Sequence, residues 1–90
     1  MTIRLMVITP RRLLADADAD SVSLPTLEGE IGVLPGHRPL YAALGRGVLS
    51  FRANGDEERF TVKGGFAEVR PDKVVVVTEM SEDERGEIPE

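Results

Sequence analysis

Cysteine and tryptophan are both absent from these 90 residues, and histidine occurs once. Without thiols there is no disulfide framework, no thiolate nucleophile and no cysteine-based zinc site. Any Ser-His-Asp triad or histidine-ligated metal would have to use the lone His37. Long apolar runs are missing too, and nothing approaches the roughly 20 residues that cross a bilayer as a helix. The opening MTIRLMVITPRR places its arginine pair after the apolar stretch, the reverse of a secretory signal, so a cytoplasmic chain is expected. Acidic residues outnumber basic ones, 16 to 11. The net charge is −5, and the last ten residues, SEDERGEIPE, hold −4 of it. A near-neutral body with an acidic end offers no basic face to phosphates, which excludes a nucleic-acid binder.

What is present describes one small domain. A chain of this length buries roughly 60–65% of its unfolded surface, enough for one thin core. A deep walled pocket would use most of that core, so size favours a binding or structural module. Nine glycines and six prolines punctuate short runs rich in β-branched residues, while helical periodicity is weak. That pattern predicts an all-β sandwich or barrel.

Residues 3–9 read as a first strand stopped by Pro10, with residues 11–16 and 20–24 as the second and third. Uninterrupted alternation would put Asp16, Asp18 and Asp20 on one face with Val22 and Leu24, so a break is expected near residues 17–19. Further on, Asn54-Gly55 is a two-residue hairpin signal, because both residues tolerate positive φ. Folding about it sets Arg52 against Glu57, Phe51 against Glu58 and Leu49 against Phe60, with Leu49, Phe51, Phe60 and Val62 on the core face. A second hairpin is expected from residues 66–69 and 74–78 around Arg70-Pro71-Asp72-Lys73. Its returning strand, starting at Val74, is apolar on both faces, and a two-layer sandwich accounts for only one of them. Residues 1–80 are read as the domain, and 81–90 as an acidic, disordered tail.

Several motifs fail on inspection. Asp16-x-Asp18-x-Asp20 begins like a calcium loop, but the sixth and twelfth positions hold Ser21 and Leu27 where Gly and Glu are needed. Gly45-Arg46-Gly47 and Gly64-Gly65 lack the residues that turn glycines into a phosphate cradle. One histidine among scattered carboxylates specifies no chemistry, so His37 is read as a loop residue rather than a general base or metal ligand. No catalytic residue, cofactor or metal is assigned. The stretch from Leu27 to His37 is different: three glycines and a proline in eleven residues stiffen it, yet it carries Ile31, Val33 and Leu34. It is either a connection with its apolar residues turned inward or a rigid surface loop offered to a partner. The residues alone leave both open.

LPTLEGEIGVLPGHRPL resembles the signature of the epsilon subunit of bacterial F-type ATP synthases. The likeness continues at Arg46-Gly47-Val48-Leu49-Ser50-Phe51 and at Val62-Lys63-Gly64-Gly65-Phe66-Ala67-Glu68-Val69, and covers about residues 2–80 in order. The resemblance implies a flattened ten-stranded β-sandwich. It also implies a non-catalytic rotor role at the foot of the central stalk, against the gamma subunit and the ring of membrane c subunits. Such a chain would lie on the cytoplasmic face of the bacterial plasma membrane, attached through the complex alone. By the same resemblance the c ring would meet Glu30, Ile31, Gly32, Val33, Leu34, Pro35, Gly36 and His37. Glu30 would be the charged contact, Ile31 and Val33 apolar contacts, and His37 a polar contact or brace, with Pro35 and Gly36 fixing the loop. Members of that family usually add a C-terminal helical arm that inhibits ATP hydrolysis; the sequence ends at Glu90 without one, and neither inhibition nor ATP sensing is expected. The rival expectation is a small ligand-binding β-barrel or sandwich, which would need an enclosed apolar pocket.

Overall fold

Residues 1–78 are described by the computed structural model, which leaves the acidic segment 81–90 outside the described region. Nine strands follow one another: β1 (Ile3–Ile8), β2 (Leu13–Ala19), β3 (Ser21–Thr26), β4 (Gly29–Val33), β5 (Leu40–Ala43), β6 (Arg46–Ala53), β7 (Asp56–Lys63), β8 (Phe66–Val69) and β9 (Lys73–Val77). They build a five-stranded sheet in the order β2-β1-β9-β8-β5 and a four-stranded sheet in the order β4-β3-β6-β7. Every pairing is antiparallel except that of β1 with β9. The all-β sandwich is as expected, but ten strands become nine among the described residues. Leu44 makes only an isolated bridge to Thr26, because the chain turns away at Leu27, and one bridge is too short to count as a further strand.

The β6–β7 hairpin follows its predicted register, pairing Leu49 with Phe60, Phe51 with Glu58 and Arg52 with Glu57. Asn54 and Gly55 take φ of 56° and 84°, the left-handed pair that suits the twist of a two-residue hairpin. The core is the sum of such alternations. Ile3, Leu5 and Val7 of β1 meet Val74 and Val76 of β9, Ala67 and Val69 of β8, and, from the facing sheet, Val22, Leu24, Val33, Leu49, Phe51 and Val62. At roughly 1.5–3 kcal/mol for each large apolar side chain buried, this cluster is the main source of stability.

The second strand departs from expectation. No break occurs at residues 17–19; β2 runs unbroken to Ala19, and the chain changes sheets one residue later, at Asp20. The Asp20 N–H donates to the Arg52 carbonyl at 2.7 Å, fixing the corner. Asp16 and Asp18 sit together on the outer face because Arg4 bridges them, its Nε 2.7 Å from Asp16 and its Nη1 3.1 Å from Asp18. The corner shifts the alternation by one, so Ala19 and Val22 both point inward. Pro25, which lacks an N–H, lies in β3 beyond the point where β3 stops pairing with β6, at Ser23 and Ser50.

Candidate functional site

The segment singled out in the sequence is half strand and half turn. β3 and β4 form a hairpin through Leu27 and Glu28, where the Thr26 hydroxyl donates to the Gly29 carbonyl and accepts from the Glu28 N–H. Gly29 has φ 121°, which a side chain would resist. Alternation along β4 then decides which residues are available. Ile31 lies opposite Leu24 and Val33 opposite Val22, so both turn toward the core, whereas Glu30 and Gly32 face outward. Ile31 is half-buried and Val33 fully buried. The expectation that Val33 serves as an apolar contact is therefore corrected: in the strand's pleat it anchors β4 from beneath. The exposed apolar side chains of the segment are Leu27 in the hairpin turn, at 71%, and Leu34 beyond β4, at 61%.

Beyond Leu34 the chain is braced at two points. The His37 N–H returns to the Leu34 carbonyl at 3.0 Å, and the Gly36 N–H donates to the Pro71 carbonyl at 2.7 Å, tying the turn to the β8–β9 connection. Gly36 has φ 90°. The His37 ring lies 2.7 Å from the Arg38 carbonyl through Nδ1, and since a carbonyl only accepts, Nδ1 holds the proton and Nε2 is left for another partner. Glu30 accepts a hydrogen bond from the Ser23 hydroxyl. No ion pair joins Glu30 to His37 among the described residues. The segment thus presents Glu30, Gly32, Leu34, Gly36 and one edge of His37 from a frame with little freedom to move.

A second surface was only half visible in the sequence. Register places three cross-strand rows on the outer face of the five-stranded sheet. The first, Leu13–Ile8–Val77–Phe66–Ala43, is wholly apolar. The next, Asp16–Met6–Val75–Glu68–Tyr41, has an apolar centre with acids beside it. The third carries Asp18, Arg4 and Lys73. Phe66 is 53% and Tyr41 74% exposed, while Met6, Ile8, Val75 and Val77 are half-buried. No described strand covers this face. The valine strand with two apolar sides was its only clear signal; the contributions of β1, β5 and β8 depend on long-range pairing that no local pattern shows.

Charge on the surface is handled locally. Arg4 is held above the ordinary arginine range by its hydrogen bonds to Asp16 and Asp18, and Arg70 likewise by its hydrogen bond to Glu68. Among the described residues no three His, Asp or Glu side chains gather in a way that would hold a metal ion. A cleft of about 210 Å³ opens between β5 and the β3–β4 hairpin and is lined by Leu27, Ile31 and Leu40 together with Glu28 and Tyr41. Among the described residues no helix is long and apolar enough to cross a membrane.

The family described as the β-sandwich domain of the ATP synthase Delta/Epsilon chain matches residues 2–84. The ATP synthase epsilon chain of Alkalihalophilus pseudofirmus is 46% identical over 81 residues, covering 90% of this chain and 61% of that protein. That of Carboxydothermus hydrogenoformans is 45% identical over 85 residues, covering 94% and 62%. The chain thus spans about three fifths of the length of these relatives. Among solved structures, a chain of the Euglena gracilis mitochondrial ATP synthase, in an OSCP/F1/c-ring assembly, superposes with a TM-score of 0.83 at 26% identity, over 89% of this chain and 52% of that one. A chain from the central stalk and c ring of the Tetrahymena thermophila enzyme shares the fold, with a TM-score of 0.74 at 16% identity, over 100% and 75%.

Proposed function

The chain belongs to the β-sandwich family of ATP synthase delta and epsilon chains, and from that premise we propose that it is a non-catalytic rotor component seated between the gamma subunit and the c ring. It passes ion-driven rotation of the ring to the stalk, and so to ATP synthesis in the catalytic head. In this role it is a peripheral protein on the cytoplasmic face of a bacterial plasma membrane, held there through the complex.

The observation that carries this reading is the uncovered apolar face of the five-stranded sheet. A row of five apolar side chains that includes exposed Phe66 is unusual for a free surface, and it suits a broad protein contact rather than a small ligand. This face is assigned to gamma. The braced segment of Glu30, Gly32, Leu34, Pro35, Gly36 and His37 is assigned to the c ring, with Ile31 and Val33 supporting it from the core side. Torque transfer asks for a body that does not yield, and a segment pinned by hydrogen bonds at Gly36 and His37 loses little conformational freedom on docking.

The test replaces Glu30 and His37 by alanine and measures proton-driven ATP synthesis in membrane vesicles. Neither side chain is in the core, so the fold persists, while coupling falls several-fold. Unchanged synthesis, with the subunit still retained on the membrane, refutes the assignment of these two residues.

A further inference from the structure

Among the described residues four strands form the sheet edges of this sandwich, and three of them carry charge. β2 has Asp16 and Asp18, β4 has Glu30, and β7 has Asp56, Glu57, Glu58, Arg59 and Lys63. Charged side chains are one means by which edge strands discourage pairing with another chain. β5, reading Leu-Tyr-Ala-Ala, has none.

The free backbone of β5 follows from parity. The Leu44 N–H donates to the Gly65 carbonyl, toward the β8 side, whereas the Ala43 carbonyl points the other way and accepts from the Leu27 N–H at 3.0 Å. Successive residues of a strand direct their polar backbone groups to opposite sides. Tyr41, two residues before Ala43, therefore turns its N–H and C=O away from β8. Leu27 closes the edge at Ala43, but at Tyr41 the edge gives onto the 210 Å³ cleft, whose apolar walls are Leu27, Ile31 and Leu40. A polar backbone edge above an apolar notch suits one kind of occupant: an extended segment that pairs its backbone while lodging an uncharged side chain.

We infer that β5 accepts an added strand from the gamma subunit, because Tyr41 and Ala43 end the outer-face rows assigned to that neighbour; the strand is hydrogen-bonded to both backbone groups of Tyr41, with one apolar or β-branched side chain in the cleft. The inference rests on the rotor reading above and makes it specific at one edge.

The experiment follows the Tyr41 amide by hydrogen exchange, in the isolated chain and after this chain replaces the resident one in a purified ATP synthase. The expected result is fast exchange alone and at least hundredfold slower exchange in the complex. In parallel, Tyr41→Pro and Tyr41→Ala are compared for retention. Both lose the ring and only proline lacks the N–H, which lies outside the β8 ladder and is tolerable at an edge. Proline should bind about tenfold more weakly than alanine. If Tyr41→Pro fails to fold, the exchange measurement on the unaltered chain decides alone. Assembly with no gain in Tyr41 protection overturns the strand addition and leaves the rotor role standing. Failure to assemble overturns both. Protection in the isolated chain that rises with its own concentration assigns the edge to a second copy and also overturns the inference.

Discussion

Gly65 shows how tightly single positions are specified. It has φ 112°, and a Cβ there would lie 2.0 Å from the Val77 carbonyl oxygen and 2.8 Å from the Thr78 Cα. Both obstacles are backbone, so no side chain can swing aside. Gly65→Ala is expected to destabilise the fold by about 3 kcal/mol or more, read as a drop in urea midpoint. Gly32 is the contrast: nothing lies within 4 Å of its would-be Cβ and its φ is not positive. Gly32→Ala should leave stability within about 1 kcal/mol, so any loss of coupling it causes reports on docking rather than folding. Arg4 gives a pH prediction. Its protonated form is favoured in the folded state, so its contribution is fully present below the ordinary arginine value and is lost only as pH rises through the raised one, in strong alkali. The effect of Arg4→Gln on the urea midpoint should therefore match at about pH 6 and about pH 9, and shrink with added salt.

Individual strands were legible in the sequence where two local signals agreed. Asn54-Gly55 fixed a turn and the alternation from Leu49 to Val62 fixed a face, so the β6–β7 register could be read directly. The second strand was misread because alternation alone predicts a conflict at Asp16 and Asp18, and its resolution is a distant arginine, Arg4, on β1. Val33 was misplaced for a related reason. The resemblance offered it as an apolar contact while the residues alone left the stretch either turned inward or offered to a partner, and only its pairing with β3 reveals a pleat that sends Val33 inward. Adjacent residues of β9 now make a sharp pair for experiment. Val76 is fully buried and Val77 lies on the outer apolar row. Val76→Ala should cost about 2 kcal/mol in the isolated chain. Val77→Ser should cost under about 1 kcal/mol there, yet reduce retention on the complex, as measured by co-sedimentation with membranes.

The molecule as a whole is a slab, 41 × 28 × 19 Å. Flatness follows from stacking two sheets with a single layer of side chains between them, and it leaves each outer face large relative to the volume enclosed. A shape like this has little interior to give to a cavity and much surface to give to neighbours, which is why composition and length already pointed toward a docking module. The specific surfaces could not be read that way, because rows across a sheet are assembled from residues far apart in the chain. Rigidity should be uneven in a predictable way. β1 and β9 each have a neighbour on both sides, so the amides of Leu5, Val7, Val74 and Val76 should exchange only through global unfolding and share one free energy. Distinct opening energies for these four amides would show that the slab yields piecemeal.

The parallel pairing of β1 with β9 has a consequence for how the protein is made. A ribosome delivers Leu5 and Val7 early, but the valines that flank them arrive some seventy residues later. Until then the first hairpin has no partner along one side, and closure of the five-stranded sheet must wait for translation to pass Val77. Chaperone binding to nascent chains should accordingly persist through most of synthesis and end abruptly once β9 has emerged from the exit tunnel.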